Sequence, residues 1–405
     1  ILINIIFFIS PIIIIYRLLR KKEDIKRFRE KFCFFSKKNI NDKLIWFHGA
    51  SVGELSSIVP VLEKLEKNKK IKKILVTSNT LSSSKILEHY NFKKVIHQFF
   101  PIDTNFHSKK FLNYWKPSSA FFIDSEIWPN MYLNLKRRKI SINLINGRIT
   151  KKSFQRWKYF SSFSRRIFSS FDLCLASSKE SKKYLTKLGA PKVKFLGNLK
   201  FAQLENEKII LPNNLKKFIS KKKVWCASST HYTEENFCAI VHKELKKKYK
   251  NLLTIIIPRH IERVNEIKSE MLNLKLKIHT HESNRKINND TDIYIVDSYG
   301  KTKTFYNLCK NVFLGGSIIK HGGQNPLEAA RYGCNILHGP NIENFTEIYN
   351  FLRKNKISQK INNQTKMLYT LNKLLKKKTN PKKIQYKLKI IGQQILNSTL
   401  KEIKL

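Results

Sequence analysis

The chain has 405 residues, 41% of them hydrophobic and 27% charged, which gives a sizeable core in two or three domains and excludes wholesale disorder. Lysine and arginine number 79 against 29 acidic residues, a formal net charge of +50. That excess excludes a basic partner and favours an anionic one, whether nucleic acid, phospholipid headgroups or a phosphorylated substrate, although Lys is over-used along the whole chain, as biased base composition also produces.

Ile1 to Tyr16 is almost entirely apolar. A helix of that length spans roughly 24 Å, short of a ~30 Å hydrocarbon core. The sequence opens on Ile rather than Met, and the apolar span is expected to extend upstream. Its positive charges (Arg17, Arg20, Lys21, Lys22, Lys26, Arg27, Arg29) follow the apolar stretch. A cleavable signal carries them in front, so residues 1–22 read as a membrane anchor with a basic flank that keeps the bulk of the chain cytoplasmic. The alternative is a buried core helix, and Pro11 kinks either version.

Beyond the anchor, short β-branched runs alternate with helical patterns. The runs are Leu44–His48, Ile74–Ser78, Val95–Phe99, Ala120–Asp124, Ile142–Ile145, Leu173–Ala176 and Val193–Leu196, then Val224–Ala227, Leu252–Ile257, Ile293–Val296, Val312–Leu314 and Asn335–His338. Helices are predicted over Glu234–Lys248 and Asn325–Tyr332, among others. Such alternation predicts parallel sheets covered on both faces. The polar stretch Ala202 to Lys223, with Pro212, divides an N-terminal domain (23–205) from a C-terminal one (206–405). The six cysteines form no C-x-x-C pair and read as ordinary buried residues of a reducing compartment.

Ligands of doubly wound folds bind beyond the carboxyl ends of the strands, and the unusual residues cluster there. After Leu44–His48 comes Gly49-Ala50-Ser51-Val52-Gly53-Glu54, in which Glu54 is either a general base or a partner of the helix dipole. After Ala120 to Ile123 comes Asp124-Ser125-Glu126-Ile127-Trp128-Pro129-Asn130. Asp124 and Glu126 either meet a polar hydroxyl acceptor or cap the next helix. Lys200, in Gly197-Asn198-Leu199-Lys200-Phe201, is placed to hold a phosphate.

Four motifs in the second half point to a nucleotide. Ser228-Ser229-Thr230-His231 offers hydroxyls and free backbone N–H groups to an anion. Arg259, after Pro258, can fork onto phosphate or a base edge. Gly316 and Ser317 follow another strand. In His321-Gly322-Gly323-Gln324-Asn325-Pro326-Leu327-Glu328, Asn325 is the expected N-cap, Pro326 the first helical residue and Glu328 an acceptor for a ribose diol. Asp290-Thr291-Asp292 imitates a metal-binding D-x-D but precedes its strand, so no metal site is assigned.

HGASVGE, DSEIWPN, NGR (146–148), GNLKF, SSTH, PRH, GGS and HGGQNPLE occur in the order found in the 3-deoxy-D-manno-octulosonic acid (Kdo) transferases, and the chain resembles that family from about Leu44 to Phe345. The resemblance implies a GT-B glycosyltransferase, two Rossmann-like domains with the active site between them. It implies inverting transfer of Kdo from CMP-Kdo to a lipid A precursor (lipid IVA), at the cytoplasmic face of the inner membrane and its anionic lipid surface. By matching position Glu54 is the general base, and Asp124 and Lys200 stabilise the transition state, with Glu126 beside them. Pro258, Arg259, Tyr299, Gly300, Lys301, Asn325, Pro326, Leu327 and Glu328 match positions that bind CMP, and the strand-end residues Ser229, Thr230, Gly316 and Ser317 join that nucleotide site on their own reading. No metal, cofactor or nucleic acid is implied. The chain departs from the family at Asp124 and Lys301, where Glu is usual, and at Gln324, where His is common. The rivals are a GT-B enzyme using a UDP-sugar, separated by donor choice, and a non-enzymatic nucleic-acid binder, against which stands the lack of any RNA-binding signature.

Overall fold

A computed structural model describes the chain except residues 1, 39–43, 204–211, 284–285, 378–379 and 405 and the side chains of 2–9. Two units emerge, Ile1–Gln203 with Ile391–Leu405, and Leu204–Ile390. Residues 391–405, read from sequence as part of the second domain, thus belong to the first unit. Gly392 permits this: a side chain there would meet the Phe201 carbonyl at 2.3 Å.

The first unit holds a seven-stranded sheet: β1 (Leu44–His48), β2 (Lys73–Ser78), β3 (Val95–Phe99), β4 (Ser119–Ile123), β5 (Ser141–Gly147), β6 (Leu173–Ala176) and β7 (Val193–Phe195), in the order β3-β2-β1-β4-β5-β6-β7. Every pairing in it is parallel. The central strands are buried along their length because helices cover both faces, which is why they read as unbroken apolar runs. Trp46, Phe111, Trp115, Phe122, Tyr132 and Phe168 form the heart of one core cluster.

The second unit repeats the plan with β8 (Lys223–Thr230), β9 (Leu252–Pro258), β10 (Ile278–Thr280), β11 (Ile293–Ile295), β12 (Asn311–Leu314), β13 (Asn335–His338) and β14 (Ser358–Lys360), in the order β10-β11-β9-β8-β12-β13-β14. All its pairings are parallel as well. Strands β10 and β14, three residues each at the sheet edges, carry no buried apolar run and are absent from the sequence reading. The helix expected over Asn325–Tyr332 is confined to Leu327–Arg331. Part of the polar boundary lies outside the described residues, and Asn213–Ser220 within it is helical because Leu215, Phe218 and Ile219 bury one face.

In both sheets the chain winds outward from one strand, then crosses back to its other side. The switch points lie between β1 and β4 and between β8 and β12. At such points the loops diverge and leave a crevice at the carboxyl ends.

The N-terminal helix runs over Leu2–Leu19, but no described helix is long and apolar enough to cross a membrane. Pro11 lies inside it and Arg17 in its last turn, and the described residues do not by themselves supply the membrane span expected within residues 1–22. All six cysteines are buried free thiols.

Candidate active site

At the first switch point β1 ends on His48, and Ser51 caps the helix Val52–Glu66. Ser51 Oγ accepts the Glu54 N–H at 3.4 Å, while the Glu54 carboxylate turns back to accept the N–H groups of Ala50 (2.6 Å) and Ser51 (3.3 Å). Glu54 is therefore the acid of a capping box and half-buried beside two further carboxylates. Burial first, then Glu126 and Asp124, raise its carboxyl to about 7 against the Ala50 N–H and the Ser51 side chain. Its contacts accord with the reading of Glu54 as a partner of the helix N-terminus, and a carboxylate of that basicity is chemically able to take a proton near neutral pH.

Asp124 follows β4 in a left-handed conformation, φ +61°. Its N–H donates to the Ile145 carbonyl at 3.1 Å and its own carbonyl accepts the Arg148 N–H at 2.9 Å, which locks the bend against the end of β5. Such a φ is unfavourable for a residue with a Cβ and recurs at functional sites. Burial pushes the Asp124 carboxyl up, and Lys200 and Arg148 pull it back. Lys200 Nζ lies 3.6 Å from Asp124 Oδ2. The turn bearing Lys200 is itself positioned: Asn146 Oδ1 accepts the Leu199 N–H and Asn198 Oδ1 the Lys200 N–H, both at 2.9 Å.

Glu126 does not cap the following helix, nor does Asp124. Asp103 does so, accepting the N–H groups of Asn130 (3.1 Å) and Met131 (2.8 Å), with burial raising its carboxyl to about 6. Glu126 Oε2 instead accepts Trp128 Nε1–H at 2.9 Å and faces His48 Nε2 at 3.3 Å. Because a carboxylate oxygen accepts, His48 Nε2 carries the proton. Its Nδ1 then takes the Thr77 hydroxyl at 2.9 Å, and Thr77 Oγ1 takes Trp46 Nε1–H at 2.9 Å. Burial pushes the His48 pKa down against the raising effect of Glu126, which favours the neutral ring. His48 and Asn146 entered the sequence reading only as members of the HGASVGE and NGR motifs, with no role assigned, and Thr77 and Asp103 were not named in it. The first is signalled only by its place at a strand end, before a glycine.

In the second unit, β8 bulges at Ser229 (φ +55°) before closing on β9. Gly315 passes so close that a side chain there would meet the Ser229 carbonyl at 2.4 Å. Of the N–H groups of Ser228 to His231 expected to bind an anion here, that of His231 is already taken, together with three from the turn after β12. Glu234, fully buried, accepts those of His231 (3.0 Å), Gly316 (2.7 Å), Ser317 (3.1 Å) and Ile318 (3.0 Å). Convergent donors sealed from water need an acceptor, and the chain supplies its own. Ser317 is sealed off as well, its hydroxyl spent between the Leu314 carbonyl and the Gly339 N–H. Thr230 is fully buried, its carbonyl taken by the Arg259 N–H. These corrections withdraw Ser317 and Thr230 from direct ligand contact and leave Gly316 with no N–H to offer.

What stays accessible surrounds them. Arg259 is exposed, Ser229 and Lys301 are half-buried, and Pro258 is buried as the last residue of β9. The exposed Tyr299 donates its hydroxyl to Glu262 Oε1 at 3.0 Å, and Gly300 (φ +79°) stands in open space. Asn325 Oδ1 accepts the Leu327 N–H at 3.1 Å, so it holds the turn from one residue earlier than an N-cap, and Pro326 rather than Asn325 precedes the helix. Leu327 is buried and Glu328 half-buried. His231 packs 4.3 Å from the His321 ring and 5.7 Å from His260, and its Nε2 is buried without a partner. Burial and then, as smaller effects, His321, His260, Arg259 and Arg263 push its pKa down to about 4.

Among the described residues no cluster of His, Cys, Asp or Glu is arranged to hold a metal ion. Asp292 pairs with Lys246 at 2.7 Å and Asp290 with Lys277, which accounts for the D-x-D.

Residues 26–203 match the family model for 3-deoxy-D-manno-octulosonic acid transferase (kdotransferase). The 3-deoxy-D-manno-octulosonic acid transferase of Rickettsia bellii is 35% identical, over 91% of this chain and 89% of its own length. That of Rickettsia felis is 36% identical, over 82% and 71%. A solved structure of a putative UDP-N-acetylglucosamine 2-epimerase from Listeria monocytogenes superposes with a TM-score of 0.60 at 14% identity, covering 90% of this chain and 96% of that one, a likeness of fold.

Proposed function

The chain belongs to the 3-deoxy-D-manno-octulosonic acid transferase family of glycosyltransferases, and from that premise we propose that it moves Kdo from CMP-Kdo to a lipid A precursor, lipid IVA, with inversion at the anomeric carbon. The observation that carries this reading is the Glu54 carboxylate, raised to about 7 beside Asp124 and Glu126 at the first switch point. Glu54 removes the proton from the attacking sugar hydroxyl. The new bond forms between that oxygen and the anomeric carbon as the bond from this carbon to the CMP phosphate breaks, and the proton remains on Glu54. One base and one displacement invert the centre.

The anomeric carbon passes through an oxocarbenium-like state while negative charge grows on the departing phosphate. Asp124 suits the first charge, and Lys200 and Arg259 the second. The charges of Arg259 and Arg263 near His231 suit a monophosphate, and Tyr299, Gly300, Lys301, Asn325 and Glu328 complete the nucleotide pocket. The fold is then of GT-B type, working at the cytoplasmic face of the inner membrane, where the acceptor lies.

Incubation of the full chain with CMP-Kdo and lipid IVA, followed by mass spectrometry of the lipid, tests the reading. The expected result is lipid enlarged by Kdo, lost by at least about a thousandfold in Glu54→Gln with CMP binding intact. Undiminished transfer by Glu54→Gln would remove its role, and exclusive use of a UDP-sugar would replace the donor.

A further inference from the structure

Three motifs of the second unit, SSTH, GGS and HGGQNPLE, converge on one point. A side chain on Gly316 (φ +63°) would bring its Cβ to 3.3 Å from His231 Nε2, 3.3 Å from His321 Nδ1 and 3.4 Å from Gln324 Nε2. Glycine keeps that space open, and three side-chain nitrogens face it. His231 is only 8% exposed, and its Nε2 is buried with no hydrogen-bond partner. Buried polar atoms are paired as a rule in folded proteins, so this one calls for a ligand atom. The backbones behind the nitrogens are held in place. Glu234 accepts the His231 N–H at 3.0 Å, the Gly323 N–H donates to the Gly316 carbonyl at 2.8 Å, and the Tyr349 hydroxyl donates to the Gln324 carbonyl at 2.9 Å. The rings of His231 and His321 lie 4.3 Å apart.

These groups form a neutral set. A neutral imidazole donates one N–H and an amide two, and burial keeps the His231 ring uncharged at neutral pH. Such a set around a space one methyl group wide suits a single anionic oxygen, whereas a phosphate is better met by the fixed charge of Arg259. We infer that His231, His321 and Gln324 bind the carboxylate of the donor sugar, and so select a donor whose sugar is an acid. The inference rests on the donor proposed above. In a ulosonic acid the carboxyl is bonded to the same anomeric carbon that bears the phosphate ester, so the two anions arrive one carbon apart. The charge of Arg259 is felt at His231, in keeping with adjacent sites for the two. Neutral donors offset the loss of water around the carboxylate without cancelling its charge. That charge is then left to face the positive charge growing on the anomeric carbon. A nucleotide sugar without the carboxyl leaves these nitrogens with no acceptor, which separates substrates more sharply than a lost apolar contact does.

Titration calorimetry of the full chain, with no acceptor present, compares CMP, CMP-Kdo and the CMP-Kdo carboxamide, in which an uncharged amide replaces the carboxylate. The unaltered chain should bind CMP-Kdo at least about tenfold more tightly than the carboxamide. In Gln324→Leu, at a half-buried position, and in His321→Leu, at an exposed one, that preference should shrink to about threefold or less while CMP affinity stays within about twofold. Gly316→Ala, which fills the space, should behave likewise, and the two leucine variants decide the matter should alanine at φ +63° fail to fold. Equal affinity of the unaltered chain for acid and amide overturns the inference, as does a preference that survives both leucine substitutions. An equal loss of CMP and CMP-Kdo in the variants overturns it too, since the phosphate would then be the anion held by these nitrogens. A chain that binds neither CMP nor CMP-Kdo loses the proposed donor itself, and this inference with it.

Discussion

The carboxylate of Glu234 accepts the Gly316 N–H at 2.7 Å, joining the helix after β8 to the turn after β12 across 82 positions of sequence. Both ends sit at the second switch point. The carboxylate there does what a bound anion does in many doubly wound folds, filling a ring of backbone donors. The proposed nucleotide pocket would thus be built around an internal anion, with ligand chemistry left to the exposed side chains about it.

Removal of that anion should be felt in stability before activity. Glu234→Ala leaves four N–H groups, three of them buried, without this acceptor, a loss on the order of 3–5 kcal/mol. Glu234→Gln retains the shape and one carbonyl acceptor but turns an amide NH2 toward donors, so it should fall between. Denaturant unfolding followed by circular dichroism measures both, and an alanine variant as stable as the parent would sink the argument.

The pH dependence of transfer should report Glu54. Its working form is the deprotonated one and its carboxyl is held at about 7, so kcat/KM should climb through neutrality as pH rises. Burial, Glu126 and Asp124 raise that value, while the Ala50 N–H and the Ser51 side chain lower it. Glu126→Gln removes one of the raising charges. Glu54 then ionises at lower pH, and the acid limb of the profile should move down whatever happens to the plateau. A limb that stays put, or moves up, would show that Glu126 does not set the basicity of Glu54.

The left-handed Asp124 separates backbone from charge. Asn tolerates this conformation better than most residues. Asp124→Asn should therefore keep the parent's melting temperature while losing the pairing with Lys200 and about a hundredfold or more in kcat. Asp124→Val should lose the same activity and, in addition, roughly 1–3 kcal/mol of stability through strain. Equal melting temperatures for the two variants would argue that φ +61° carries no cost here.

How much of this was legible depended on the range over which each feature is encoded. The strand β1 could be read because Leu44 to Phe47 is a continuous apolar run, buried throughout. Helix Glu234–Lys248 could be read from its own periodicity and its terminal charges. Glu54, Asp124 and Lys200 lie far apart in sequence, yet all follow strands of one parallel sheet, which brings its carboxyl ends to a single edge. That rule placed them together without any knowledge of distance. It could not show that Glu234 fills the nest behind Gly316, or that Asp103 caps a helix starting at Pro129. Both depend on partners chosen by the tertiary fold. Strands β10 and β14 escaped because edge strands half open to water need no apolar signature.

The helix Pro381–Ile403 returns to the first unit from residue 391 onward, which makes the Lys200 turn sensitive to a residue that no motif marks. Gly392 lies against the Phe201 carbonyl and the Ala202 Cα, where an added Cβ would stand at 2.3 Å and 2.8 Å. Neither neighbour is the flexible end of a side chain, so the helix must shift or the turn Leu199–Ala202 must open. Intrinsic helix propensity alone predicts that Gly392→Ala stabilises the helix by up to about 1 kcal/mol. The close approach predicts the opposite: a loss of roughly 1–3 kcal/mol from overpacking, with kcat falling as Lys200 moves off Asp124. Thermal unfolding and single-turnover transfer of the Gly392→Ala variant decide between them. A gain in melting temperature with unaltered kcat would show that the helix does not brace the turn that carries Lys200.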